Sequence, residues 1–255
     1  MNVGFRVHQD VLRPDRALLE GFAGAAVGNL SDAMHGLYTM DSGIRPVVTP
    51  AARVTGPAVT VAVSPGDGLM LREAIGLARP GDVLVVNAFG ATDRAVLGGT
   101  VLLAARDRGV AGLVVDGAVR DLDEIASLSL PVAARAVTPR SGTSTAGWGE
   151  VNVPVACGGV VVQPGDVVAA DGDGIVVVPA DQAAAVLAAH REVEAAKGRP
   201  SDLASGGEAR RSRADVVFHR TRAAMAERGA TVVPAAYHRW PVPPGPTAAS
   251  RPDRA

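Results

Sequence analysis

The sequence predicts an α/β fold, on three observations. Val-rich runs alternate with helical runs from about residue 51 to residue 128. From about residue 130 to residue 179, short apolar runs broken by Gly, Pro and Asp take over. The chain has 255 residues and is 47% hydrophobic, enough to bury a large core; aromatics are only 3%, so that core must be built from Val, Ala, Leu and Ile.

In chain order, residues from about Arg13 to Leu37 read as helical, with Leu18, Leu19, Phe22, Val27 and Leu30 roughly on one period. "AARVTGPAVTVAVSP" is a strand region, and "DGLMLREAIGLARPG" a helix ending near Pro80-Gly81. "DVLVVNAFG" is a strand. "GGTVLLAARDRG" is a helix that Gly98-Gly99 opens and Gly109 closes, with Arg106 and Arg108 near its negative end. "VAGLVVDG" is the next buried strand, followed by a helix from about Leu122 to Leu128. "LPVAARAVTP", "VNVPVACGGVVV", "GDVVAADGDG" and "GIVVVP" read as short strands, and "ADQAAAVLAAHREVEAAKG" as a closing helix. Pro-Gly-Asp occurs at Pro65, Pro80 and Pro164, which reads as repeated turn chemistry: Pro and Gly make the turn and Asp caps it. These elements place one domain over residues 1–197. Residues 198–255 form a C-terminal extension, with one possible amphipathic helix carrying Val217, Phe218, Thr221 and Met225 on one side, then a Pro-rich flexible tail.

Composition excludes several functions. The formal net charge is −1, which gives no electrostatic case for nucleic acid or an anionic membrane. The single cysteine, Cys157, excludes an intramolecular disulfide and a thiolate zinc cluster. The N-terminus lacks the apolar core of a signal peptide, and no apolar run is long enough to span a bilayer, so a cytoplasmic protein is expected. Lys197 is the sole lysine and sits at a polar helix end, which argues against Schiff-base chemistry. The five histidines are scattered, which argues against a nitrogen-rich zinc site.

The stretch "VVDGAVRDLDEIAS" places Arg120, Asp121, Asp123 and Glu124 directly after a buried strand. As capping, Asp121 would be the N-cap and Glu124 would complete a capping-box-like pair. That leaves Arg120 unexplained. As a site, Asp121 and Glu124 lie on one helix face and suit a hard cation such as Mg²⁺ or Mn²⁺. Arg120 then offers a planar fork for a carboxylate substrate. The two readings are compatible. Gly98-Gly99, upstream, would open its helix with bare N–H groups able to hold an anion, or else mark close helix packing.

Gly99, twenty residues, Arg120-Asp121, two residues and Glu124 together resemble the signature of the metal-dependent 4-hydroxy-4-methyl-2-oxoglutarate and 4-carboxy-4-hydroxy-2-oxoadipate aldolases of the RraA-like superfamily. "PGDVLVV", "GLVVDGAVRD", "PVAARAVTPR" and "VNVPVACGGVVVQPGDVVAADGDGIVVVP" resemble it too; the likeness covers roughly Ala17 to Lys197. It implies a layered, swivelling β/β/α-type fold assembled as a homotrimer or homohexamer. It also implies retro-aldol release of pyruvate from a 4-hydroxy-2-oxo diacid, with oxaloacetate decarboxylation alongside. By the same resemblance, Asp121 is the direct metal ligand, Glu124 the outer-shell acid of the metal site, and Arg120 the contact to the oxo-acid end. Gly98, Gly99, Thr100 and Val101 become the backbone cradle for the substrate carboxylate. The aldolases often carry an acid where this chain has Gly99. A further acid is expected from a neighbouring subunit, with Glu192 and Glu194 as candidates. Asn87, Phe89, Asp93, Arg94 and Arg140 are candidates for setting the substrate.

Three other readings compete. A non-catalytic ribonuclease regulator fits poorly with a retained Glu124. A methyltransferase would need a Gly-rich nucleotide loop with a ribose-binding acid, which the sequence lacks. A lyase of the same fold acting on another 2-oxo acid remains open.

Overall fold

The computed structural model describes residues 3–48, 52–142, 147–197, 218–225 and 227–229. They fall into two units, Met1–Lys197 and Gly198–Ala255.

Three successive strand–helix–strand units form the centre of the first unit. Strand β2 (Val54–Val63) leads through α3 (Leu69–Leu77) to β3 (Val83–Leu97). α4 (Gly99–Asp107) then leads to β4 (Gly112–Val119), and α5 (Leu122–Leu128) to β5 (Val132–Val137). The four strands pair in parallel, β5-β4-β3-β2. β4 is buried along its whole length, as expected of a strand covered on both faces. β1 (Arg45–Pro46) pairs antiparallel with β5. Beyond β2 the sheet continues antiparallel through β9 (Val167–Ala170) and β10 (Ile175–Val178), and β6 (Gly149–Val151) pairs with the far end of β2. β7 (Val155–Cys157) and β8 (Val160–Val162) form a separate hairpin.

Alternating side chains divide the core. Val59, Val61, Leu84, Val86, Leu113 and Val115 face Leu71, Ile75, Leu102, Ala105 and Ile125 of α3–α5. Val83, Val85 and Val114, one residue out of phase, face Val155, Cys157, Val162 and Val177. Val167, Ala169, Val176 and Val178 pack instead on α1 (Arg16–Gly21), α2 (Val27–Ala33) and α6 (Ala183–Lys197), against Phe22, Leu30 and Leu187. The result is a helix layer, two sheet layers and a second helix layer. Each fully buried Leu or Ile contributes about 1.5–3 kcal/mol, so many medium-sized side chains replace the absent aromatics.

The helix expected over residues 13–37 is two short helices, separated at Phe22–Ala26 where Gly24 takes φ +79°. The strand expected over residues 82–90 runs on to Leu97 after a register shift between Asn87 and Ala91. All three Pro-Gly-Asp sequences make the expected turn, with left-handed glycines (φ +74°, +92° and +91°). Asp82 and Asp166 each accept the N–H three residues back, from Arg79 and Gln163; Asp67 accepts those of Leu69 and Gly147. In the second unit, Phe218–Met225 is helical, and Phe218, Thr221 and Met225 are exposed; Val217 and the Pro-rich tail lie outside the described residues. No described helix is long and apolar enough to cross a membrane.

Candidate active site

The carboxyl ends of β3 and β4 bring the two sequence clusters together, where ligands of parallel sheets commonly bind. Leu97 ends β3 and pairs with Val119 at the end of β4. Arg120 N–H donates to Leu97 O at 3.2 Å, which fixes the two turns side by side.

Asp121 occupies the N-cap position of α5, but its side chain does not cap that helix. It accepts the Gly99 N–H at 3.0 Å instead, and so caps α4 across the turn. To reach it, Asp121 adopts a left-handed backbone (φ +65°, ψ +52°), which Asp tolerates better than most residues. The capping-box reading of Asp121 with Glu124 is therefore corrected: the cap is tertiary. Asp121 Oδ2 also lies 3.4 Å from Arg120 Nε. Oδ1 meets no protein donor among the described residues.

The glycine pair explains itself sterically. A Cβ at Gly98 would overlap Asp121 Oδ2 and lie 3.0 Å from Arg120 Nε. A Cβ at Gly99 would overlap Glu124 Oε2 and lie 2.5 Å from its Cδ. Both carboxylates thus rest on bare backbone at the positive end of α4, where negative charge is favoured. Of the two alternatives in the sequence, close packing is the one described here, and what packs on the glycines is the chain's own pair of carboxylates.

The first-turn donors of α4 are mostly engaged. Gly99 N–H is held by Asp121, and Val101 and Leu102 N–H both donate to Gly98 O. Thr100 N–H has no acceptor among the described residues. Of the four-residue cradle, the N–H groups of Gly98 and Thr100 are thus the donors without an acceptor among the described residues. The guanidinium Nη groups of Arg120 likewise have no protein acceptor among the described residues, and its side chain is 38% exposed.

A cleft of about 80 Å³ opens beside these groups, lined by Gly98, Val101 and Arg120 with Arg72, Val96 and Ser141. Sequence reasoning missed Arg72 and Ser141. Arg72 lies in α3, after the end of β2, so the strand–turn–helix logic that found Gly98-Gly99 could have reached it too. The candidate substrate-setting residues lie off this lining. Asn87 is buried and accepts the Phe89 N–H at 2.8 Å. Phe89 takes φ +57° and stacks edge-on against Trp148. Asp93 forms long, exposed pairs with Arg94 and Arg140. Glu192 and Glu194 sit on α6, in a different layer of the same chain.

Among the described residues no three His, Cys, Asp or Glu side chains cluster as a metal site. Asp121 and Glu124 still fit a hard divalent cation: two neighbouring carboxylates, partly exposed, with oxygens that no donor among the described residues claims. The remaining coordination positions would belong to water and substrate, as is usual for Mg²⁺.

Comparison with known proteins places the fold in a family. A family model described as RraA-like: Aldolase/RraA matches residues 27–177. A Halalkalibacterium halodurans protein named "Putative 4-hydroxy-4-methyl-2-oxoglutarate aldolase" is 43% identical over 158 residues, covering 62% of this chain and 74% of that protein. Among solved structures, an uncharacterized protein from Pseudomonas syringae pv. tomato superposes with a TM-score of 0.67 at 30% identity, covering 79% of this chain and 99% of that one. Streptomyces coelicolor RraAS2, described as an unusual member of the RNase ES inhibitor RraA protein family, superposes at 0.66 with 32% identity, covering 72% and 96%. The chain belongs to the RraA-like family.

Proposed function

We propose that this protein is a divalent-metal-dependent lyase that cleaves a 4-hydroxy-2-oxo diacid to pyruvate and a second 2-oxo acid, and that it also decarboxylates oxaloacetate. One observation carries the reading: Asp121 and Glu124 converge on the bare Gly98-Gly99 end of α4, beside a guanidinium whose Nη groups have no acceptor among the described residues. The aldolase name of the Halalkalibacterium relative supports it.

Arg120 would hold the carboxylate of the 2-oxo end through its Nη groups, with Thr100 N–H as a second donor. Asp121 and Glu124 would hold Mg²⁺ or Mn²⁺. When bound, the ion supplies positive charge beside the keto oxygen on which negative charge develops. Asp121 is fixed for this by the Gly99 N–H, so its geometry is set before substrate arrives. Glu124, exposed and without a protein donor among the described residues, is placed to take the C4 hydroxyl proton, directly or through one water. The C3–C4 bond then breaks. Its electron pair passes toward C3 and the keto oxygen, C4 becomes a carbonyl, and protonation at C3 gives pyruvate. Loss of CO₂ from oxaloacetate reaches the same pyruvate enolate. No lysine is needed at any step, in keeping with the chain's single lysine. The acting unit in this proposal is a cytoplasmic homotrimer or homohexamer.

The test is a screen of oxaloacetate and 4-hydroxy-2-oxo diacids for pyruvate formation with Mg²⁺ or Mn²⁺. Metal-dependent release from at least one supports the reading. Turnover of none, together with capture of a ribonuclease, would favour the inhibitor role that the Streptomyces relative's description carries.

A further inference from the structure

We propose that the cavity at the amino-terminal ends of β2, β4 and β5 is a binding site for a neutral, largely apolar small molecule, separate from the 2-oxo-acid cleft. Val54, Leu113 and Val132, at or next to the first residues of those strands, line it together with Ile125 and Ala126 of α5. The cleft beside Arg120 opens at the opposite, carboxyl ends of β3 and β4. The cavity holds about 360 Å³. That is more than twice the roughly 150 Å³ of an apolar cavity that takes up benzene, and within the range of about 300–1,000 Å³ usual for small-molecule sites.

The lining selects the ligand's chemistry. Ser129 and Asp171 are its only polar residues among the described ones. Asp171 is buried and already engaged: its carboxylate accepts the N–H groups of Val27 at 3.1 Å and Asp173 at 2.9 Å, and Arg53 Nε lies 3.9 Å away. A ligand cation finds no unpaired charge there. A ligand anion, a 2-oxo acid included, would meet that carboxylate across an apolar lining that cannot solvate it. Ser129, whose hydroxyl has no partner among the described residues, leaves room for one polar group on the ligand. The recess also separates a small molecule from a protein partner. None of the large apolar side chains that stand exposed on this unit, such as Leu12, Leu103, Leu122 and Val161, lines the cavity. A stable protein partner needs an apolar face of about 800 Å², which a recessed cavity does not present.

The experiment titrates the full chain with N-phenyl-1-naphthylamine, a neutral probe whose fluorescence rises in apolar surroundings, and with 8-anilino-1-naphthalenesulfonate, the same ring frame carrying an anion. Wild type should bind one neutral probe per chain, saturably, and about tenfold or more tighter than the anion. Ala126→Phe and Ala52→Phe add a ring to the lining at two positions. Each should weaken the neutral probe by about tenfold or more with no loss of melting temperature, and the pair keeps the test open if one fails to fold. Trp148→Ser, which removes the exposed ring against Phe89, should leave probe binding unchanged. Excess 2-oxoglutarate with Mg²⁺ should not displace the probe. Absent or unsaturable binding, equal affinity for the two probes, wild-type affinity in a folded filled variant, loss of binding in Trp148→Ser, or displacement by 2-oxoglutarate overturns the proposal. So does a filled variant whose oligomeric state changes in gel filtration, which would make the occupant a second copy of the chain. No readout here needs pyruvate release, so the cavity's role stands or falls apart from the lyase reading.

Discussion

Gly99→Ala separates function from stability at this site. The new Cβ would overlap Glu124 Oε2, lie 2.5 Å from Cδ and lie 2.9 Å from Cβ of that residue. Glu124 is exposed, so its carboxylate can swing into solvent; its Cβ can move only if α5 shifts by a few tenths of an ångström. Such overpacking costs about 1–3 kcal/mol, against a gain of up to about 1 kcal/mol from replacing helical Gly by Ala. The net loss is about 0–3 kcal/mol, or a melting temperature lower by about 0–12 °C for a domain of this size. Activity should respond far more. If Glu124 moves the C4 hydroxyl proton, displacing it costs about 10²-fold or more, as deleting it would. The assay is pyruvate formation by Gly99→Ala, Glu124→Ala and the double variant, with melting curves for each. Because both single changes remove the same carboxylate, the double variant should be about as slow as Glu124→Ala. Losses that multiply in the double variant, or a Gly99→Ala protein with near wild-type turnover, would refute the reasoning.

Three further outcomes follow from groups outside the reaction. Arg135 bridges Asp116 and Asp41, and Asp116, buried, also accepts the Gly158 N–H; Arg135→Met should cost about 1–3 kcal/mol in urea unfolding, because Asp116 keeps one donor but loses its cation. Burial and the nearby Asp116 push the Cys157 thiol up to about 12, so at pH 8 a thiol reagent should label it only as fast as the protein unfolds. Burial holds the His190 imidazole below its ordinary pKa, with Arg191 adding to the shift and Glu194 opposing it. The unfolded chain then takes up this proton first, so stability is intact above about pH 6.5 and falls as pH drops below it. His190→Gln should reduce that fall when unfolding is compared at pH 7.5 and 5.5.

Local periodicity made the central units legible. Alternating Val-rich and helical runs give β2–β5 and α3–α5 because each element meets its layer through its own repeat. The Pro-Gly-Asp turns were legible because each Asp accepts an N–H two or three residues away. β3 was cut short in the sequence because the polar run Ala91–Arg94 interrupts its apolar letters, and pairing with β4 carries the strand through it. The first helix was over-extended because a helical period survives across Phe22–Ala26, the break in which Gly24 takes its left-handed conformation. At the site, residue identities were legible but their partners were not. Asp121 looked like the cap of the helix it precedes, and it caps α4 instead, twenty-two residues upstream. Only the tertiary packing of β3 against β4 decides that. Arg72 was within reach of the same strand–turn–helix logic, since it follows the end of β2 in α3, but only the packing of α3 beside β3 and β4 shows that it borders the cleft lined by Arg120.

The most direct test of the central claim measures pyruvate released by the full chain from its best 2-oxo diacid, after chelation and again after Mg²⁺ is restored, with Asp121→Asn in parallel. Asn can keep the left-handed backbone and the bond from Gly99 N–H while losing the charge. Wild type should fall to background with the chelator and recover with Mg²⁺, and Asp121→Asn should stay at background throughout. Chelator-resistant pyruvate release, or an Asp121→Asn protein that Mg²⁺ restores to wild-type turnover, would contradict the account.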